Sequence, residues 1–190
     1  MRVASKKAIT VLVIDVGGTH VKVLATGQPE ERKIPSGSHM TARLMVRDVK
    51  RVTKDWEYSV VSIGYPGPVI HGRALHEPHN LGDGWVGFDF AKAFGCPVKL
   101  INDAAMQALG SYEGGRMLFL GFGAGLGAAM IVDGVLEPME LAHLPYEHGK
   151  LTRITLVFAA SSDWAKRSGG VTSPTLSKGL RTLWTPSTLC

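Results

Sequence analysis

The sequence predicts an α/β fold made of two related lobes, and three observations predict it. Residues 9–16, ITVLVIDV, form a continuous β-branched run of the kind found in a sheet covered on both faces. Between residues 41 and 57, Leu44, Met45, Val49, Val52 and Trp56 recur at spacings of 1, 4, 3 and 4, the stripe of a helix packed on that sheet. A strand, a glycine turn and a second strand then occur once in each half of the chain. With 45% apolar and 19% charged residues, a chain of 190 residues suits one domain with a sizeable core or two small lobes, and disorder is excluded for most of it.

The first strand breaks at Gly17-Gly18 before a second strand-like run, His20 to Leu24, so the two make a hairpin with a polar tip. After the amphipathic helix, Ser59 to Ile63 is a strand and Gly64 to Pro68 a loop. The stretch rich in His, Pro, Gly and Asn up to Trp85 is too irregular for regular structure. So long a loop in a compact domain usually carries function. Asp89 reads as the N-cap of a short helix ending at Phe94, Val98 to Ile101 as a strand, and Ala104 to Tyr112 as a helix. The pattern restarts with the strand Met117 to Leu120, the turn GFGAGLG, the strand Ala128 to Val132 and a turn at Asp133-Gly134. The expected domains are residues 1–103, with the first glycine hairpin and the irregular loop; residues 104–150, a partial second lobe with the second turn; and a tail, residues 151–190.

Composition excludes several functions. The formal net charge is +5, yet residues 151–190 hold five Lys/Arg against Asp163 alone, leaving 16 basic and 15 acidic residues in the first 150. That tail has neither a basic helical face nor an aromatic stacking pattern, so no nucleic-acid partner is expected. The apolar runs Ile9 to Val16 and Met117 to Phe122 fall far short of a membrane span, and the N-terminus lacks the apolar core of a secretion signal. The expectation is a cytoplasmic enzyme or binding protein with no membrane partner. Cys96 and Cys190 lie ninety-four positions apart without a CxxC or Cys/His cluster, so no disulfide framework and no structural zinc site is read.

A glycine-rich turn exposes backbone N–H groups that can take phosphate oxygens, and its surroundings decide the class of site. The first turn, Asp15-Val16-Gly17-Gly18-Thr19, leads into a strand and lacks the Gly-Lys-Ser/Thr ending of a P-loop. The second, Gly121 to Gly127, contains a GxGxxA match at Gly123, Gly125 and Ala128. Only five apolar residues then precede Asp133-Gly134, too few for the helix of a dinucleotide fold. Two glycine hairpins, the first preceded by an acidic residue, suit a cleft that grips a phosphate chain from both sides. Asp15 would position Mg²⁺ through water, and Thr19 would donate to a phosphate oxygen. The alternative is two tight hairpins in an ordinary sheet, with glycine serving positive φ.

The segments VLVIDVGGTHVKVL, SIGYPGPV, EPHNLGDGWVGFDF, INDAAMQALGSYEGG, LFLGFGAGLGAAMIVDG and MELAHLPY occur in this order over roughly residues 9–150. Together they resemble the ROK family of sugar kinases, above all its glucokinase and polyphosphate-glucokinase members. The resemblance implies an actin-like ATPase fold, ribonuclease H-like and two-lobed, here with an incomplete second lobe. Its reaction would transfer a terminal phosphoryl group from ATP or polyphosphate, with Mg²⁺, to the 6-hydroxyl of glucose or a similar hexose. Asn102-Asp103 lies where a strand ends and a helix begins, a place from which a carboxylate reaches a cleft. By resemblance Asp103 is the base that accepts the hydroxyl proton and Asn102 a sugar ligand; the local alternative is that Asp103 caps the helix.

The resemblance also makes Asn80 and Gly67 sugar-binding residues, and Gly17, Gly18, Thr19, Gly123, Gly125 and Gly127 phosphate-binding ones. Glu140 and His143 match the family's Glu-x-Gly-His sugar motif, with Ala142 in place of Gly, and their i, i+3 spacing puts them on one face of a helical turn. No further ligand follows at metal spacing and the Cys-rich zinc segment of many ROK proteins is missing, so no zinc is expected. His71, His76 and His79 read as solvated. Ala124 stands where the second turn commonly has Thr, which removes one hydroxyl donor. Only eight residues precede the first strand, leaving no room for the DNA-binding motif of a ROK repressor.

After Lys150 the expected Tyr-Glu-Asp-Tyr-like segment, long helices and nucleoside-contacting Gly-Gly turn do not follow. Residues 151–190 instead hold thirteen Ser/Thr and no Glu. A reading frame lost near Lys150 is one expectation and a divergent tail the other. Either would leave apolar strand surface poorly covered. The alternative function is accordingly an inactive remnant or a sugar-binding protein. The residues leave the choice of ATP or polyphosphate, the choice of hexose, and monomer or homodimer open.

Overall fold

The structure, a computed structural model, describes residues 8–122, 126–139 and 141. Ten strands and three helices follow one another among these residues: β1 (Val11–Val16), β2 (His20–Ala25), β3 (Arg32–Pro35), α1 (Ala42–Val52), β4 (Val60–Tyr65), β5 (Val69–Ile70), β6 (Arg73–Ala74), α2 (Phe90–Phe94), β7 (Val98–Asn102), α3 (Asp103–Ser111), β8 (Arg116–Phe122), β9 (Leu126–Val132) and β10 (Val135–Met139). The chain divides into two compact units at the junction of Ile101 and Asn102.

The first unit is built on a five-stranded sheet in the order β3-β2-β1-β4-β7. β1 and β2 pair antiparallel as the expected hairpin, with Val16 opposite Val21, and β1 runs parallel to β4. All six residues of β4 are buried, as are five of the six in β1, which is why both strands are rich in Val and Ile on both faces. α1 buries Ala42, Met45, Val46 and Val49. Thr41 caps its start by accepting from the Leu44 amide at 3.3 Å, and the Thr53 amide and hydroxyl both reach the Val49 carbonyl at 2.9 Å to end it. Trp56, the last member of the sequence stripe, therefore lies beyond the helix, buried beneath the Arg32 guanidinium 4.2 Å from its ring centre. Arg32 also grips Asp55 through two bonds of 2.6 and 2.7 Å, which holds that carboxyl down to about 2.

Strands β3, β5, β6 and β10 go beyond the elements expected. β3 is a charged edge strand with Ile34 as its one buried side chain, so no apolar pattern announces it. β5 and β6 form a two-residue hairpin within the irregular loop, turning at His71 and Gly72, whose φ angles are 49° and 70°.

The second unit carries a three-stranded antiparallel sheet in the order β10-β9-β8. Its α3 packs on β9 through a core of Ala105, Ala108, Ala129 and Ile131. Among the described residues no helix is long and apolar enough to cross a membrane.

Candidate active site

The first glycine turn is closed by the Gly17 amide donating to the His20 carbonyl at 3.1 Å. Neither Gly17 nor Gly18 has a positive φ, so backbone angle is not what requires glycine here. Space is. A Cβ on Gly17 would lie 2.7 Å from the His20 carbonyl oxygen, and one on Gly18 would lie 3.2 Å from the Asn80 Cβ. Ser36 fixes the turn from outside: its hydroxyl donates to the Gly17 carbonyl at 2.6 Å and its amide to the Thr19 carbonyl at 2.9 Å. With those carbonyls engaged, the amides of Gly18 and Thr19 find no acceptor among the described residues, the arrangement an anion can use. The Thr19 hydroxyl lies 3.3 Å from His20 Nδ1.

Asp15 immediately precedes this turn and is half-buried, opposite Lys22 of β2. Burial pushes its carboxyl above the ordinary value; Lys22 opposes the shift and Glu31 adds to it. A carboxylate so raised gains from a nearby cation, and one carboxylate supplemented by water and phosphate oxygens is the donor set Mg²⁺ accepts. Among the described residues no group of three His, Cys, Asp or Glu could hold a metal.

The irregular loop is a built structure. The Tyr65 hydroxyl donates to the His76 carbonyl at 2.6 Å, and the Glu77 carboxylate accepts from the amides of Trp85 and Val86 at 2.9 and 3.1 Å. Trp85 is buried against the rings of Tyr65 and Phe90, and its indole N–H donates to the Met40 carbonyl at 3.3 Å. Asn80 rides on this frame, exposed except where it meets Gly18, so an expected sugar residue and an expected phosphate residue touch. Gly67 packs closely on its neighbour: a Cβ there would lie 3.1 Å from the Tyr65 ring. His71, His76 and His79 are all exposed.

Asn102 ends β7 and Asp103 begins α3. The local alternative, in which Asp103 is the cap, is corrected: Asn102 Oδ1 accepts from the Ala105 amide at 3.0 Å and is the N-cap, while Asp103 Oδ1 accepts from the Ala104 amide at 2.8 Å. Gly127 lies within β9, opposite Gly121, and a Cβ on it would come 2.8 Å from the Ala104 Cβ. Gly123, Ala124, Gly125, Glu140, His143 and the tail, residues 151–190, lie outside the described residues.

The residues sequence reasoning missed are Ser36, Glu77, Tyr65 and Trp85. Ser36 is separated by 19 residues from the carbonyl its hydroxyl binds, and no local pattern marks it.

Comparisons with known proteins extend this picture. The model of the ROK family matches residues 11–137. The polyphosphate glucokinase of Mycobacterium tuberculosis is 28% identical over 151 residues, a match covering 69% of this chain and 57% of that enzyme. The bifunctional enzyme NanE/NanK of Brucella melitensis is 27% identical over 150 residues, covering 70% of this chain and 28% of that protein. The chain thus spans little more than half the length of the mycobacterial relative. Among solved structures, the inorganic polyphosphate/ATP-glucomannokinase of Arthrobacter sp. strain KM superposes with a TM-score of 0.67 at 26% identity, over 83% of this chain and 72% of that one. A glucokinase of Streptomyces griseus, in complex with glucose and AMPPNP, shares the fold with a TM-score of 0.58 at 20% identity, over 71% of this chain and 50% of that one.

Proposed function

Because this chain belongs to the ROK family, we propose that it is a hexose kinase that moves the terminal phosphoryl group of ATP or inorganic polyphosphate to the 6-hydroxyl of glucose or a similar hexose. The observation that carries this reading is the first glycine turn. Its carbonyls are held by Ser36, two of its amides are open among the described residues, and a carboxylate raised by burial stands just before it. Such a turn is fitted to a phosphate chain with an accompanying cation.

On this reading Gly17, Gly18 and Thr19 orient the donor's phosphates, and Gly123, Gly125 and Gly127 form the second grip. Asn80, Gly67, Asn102, Glu140 and His143 hold the sugar. Asp103 accepts the proton of the 6-hydroxyl while that oxygen bonds to the terminal phosphorus and the bond to the bridging oxygen breaks, releasing ADP or a polyphosphate one unit shorter. Mg²⁺, which Asp15 would hold through water, neutralises charge on the transferring phosphoryl oxygens when bound. The proposed architecture is the two-lobed actin-like one.

The test is formation of glucose 6-phosphate by the purified chain with Mg²⁺ and either ATP or polyphosphate. Turnover is expected, and its donor dependence identifies the phosphoryl source. Asp103→Asn should lower kcat by about 10²- to 10⁴-fold while glucose still binds, since it removes the proton acceptor with little change of shape. Asp103→Asn turnover at the parent rate would overturn the assignment of the base, and a folded parent chain that binds glucose without turnover would favour a sugar-binding protein.

A further inference from the structure

We propose that Gly127 is a positioning residue for Asp103: a glycine notch at the end of the β8–β9 pair where β8 leads into β9 seats the first turn of α3 and so fixes where the proposed base stands. The role given to Asp103 is that of the preceding reading; the seating itself stands on geometry alone. Side chains of a strand alternate between faces, so residues 127, 129 and 131 of β9 share one face, and Ala129 and Ile131 on that face form the core with Ala105 and Ala108 of α3. The residues that meet directly at the start of this contact are small, with the Phe119 ring beside Gly121. Gly127 pairs with Gly121 across the ladder, and α3 opens with Ala104 and Ala105.

At Gly127 the fit has no slack. A Cβ there would be 2.8 Å from the Ala104 Cβ, whereas carbon atoms in contact prefer about 3.5 to 4.0 Å. Neither atom is the end of a flexible side chain, so a methyl group at 127 must drive helix and strand apart by about 1 Å. Ala104 directly follows Asp103 and its amide is bonded to Asp103 Oδ1 at 2.8 Å, so that displacement reaches the carboxylate. The helix has its own latch beside it, the Ala105 amide on Asn102 Oδ1 at 3.0 Å. The Gly127 hydrogen thus has a function in its own right, distinct from exposing an amide to phosphate.

The experiment replaces Gly127 by Ala in the full chain and follows two readouts. Amide hydrogen exchange at Ala105 reports the seating of α3 whether or not the chain turns over; kcat and KM for glucose report the base. Gly127→Ala should speed exchange at Ala105 by tenfold or more. It should also lower kcat about 10²-fold, the effect of misplacing a catalytic group by about 1 Å, with KM for glucose changed less than threefold. Adding Ala104→Gly to the same chain opens the lost space and should return both readouts toward the parent. Ala104→Ser, which adds an atom from the helix side, should reproduce the defect and serves as the test if Gly127→Ala does not fold. Parent-like exchange at Ala105 in a folded Gly127→Ala chain, or no recovery on adding Ala104→Gly, overturns the inference. Changed exchange that Ala104→Gly restores, in a chain whose parent shows no turnover, upholds the seating and overturns the kinase reading instead.

Discussion

At the end of β1 the Asp15 carboxylate is half-buried, and the cost of its burial outweighs the help of Lys22 across the hairpin. Its pKa is raised in the folded protein, so between the ordinary carboxylate value and the raised one the folded chain holds a proton that the unfolded chain has released. Stability contributed by this group is therefore greatest below the ordinary carboxylate value, falls as pH rises through the raised folded-state value, and stays lost at neutral pH. Asp15→Asn should raise Tm at pH 7, and the gain should shrink as pH is lowered toward the ordinary carboxylate range. A melting series across pH checks this, and a lower Tm at pH 7 for Asp15→Asn would show that the charge stabilises the fold. The same few residues show what a sequence can reveal at this scale. The pair Gly17-Gly18 is legible as a turn, but the reason for its glycines is not. That reason is close approach by the His20 carbonyl and by Asn80, sixty-two residues from Gly18, rather than the positive φ a hairpin suggests. Ser36 is illegible for the same cause: its partners are set by the sheet, which brings the end of β3 beside the turn.

Elements that bury a repeating pattern are legible, and those held by single polar bonds are not. β1, β4 and α1 announce themselves because burial on both faces or on one stripe leaves a run or a period. β10 contains Glu137 and Pro138, and the β5–β6 hairpin is two residues deep, so neither carries a period to detect. The segment between Gly64 and Trp85 reads as irregular, yet it is closed by Glu77, whose two oxygens take the Trp85 and Val86 amides. One carboxylate here replaces the ladder of a sheet. Glu77→Ala leaves those amides without their acceptor and should cost about 1 to 3 kcal/mol of stability, since hydrogen bonds to charged groups lie at the upper end of the usual range. Because Asn80 lies within the closed segment, glucose affinity should fall as well. Urea unfolding and calorimetric titration with glucose check both. A loss under about 0.5 kcal/mol, the scatter of ordinary surface substitutions, with parent affinity would mean that the Tyr65 and Trp85 contacts suffice to hold the loop.

Among the described residues, large buried side chains are unevenly distributed. The first unit encloses Trp85, Tyr65, Leu12, Ile14, Met40, Met45 and Ile63 in one cluster. The cluster between α3 and the second sheet has Ala105, Ala108, Ala129 and Ile131 as its buried residues, with the partly buried Leu109, Tyr112, Met117, Phe119 and Leu136 packed against it. Buried apolar area stabilises by about 25 cal/mol per Å², so alanines contribute far less than the aromatic and branched residues of the first unit. On the face of β8 turned from α3, Leu118, Leu120 and Phe122 are 54%, 39% and 51% exposed, area that gives no such return. Small packing residues are also what the Gly127 contact demands, so the close approach that seats Asp103 limits the core that can form around it. The second sheet should therefore open at lower free energy than the first, as a separate cooperative unit. Hydrogen exchange followed by mass spectrometry in increasing, sub-denaturing urea should show β8, β9 and β10 losing protection while β1 and β4 keep theirs. If peptides from both sheets instead lose protection at a single urea concentration, the two units unfold as one and the second sheet is not a separate cooperative unit.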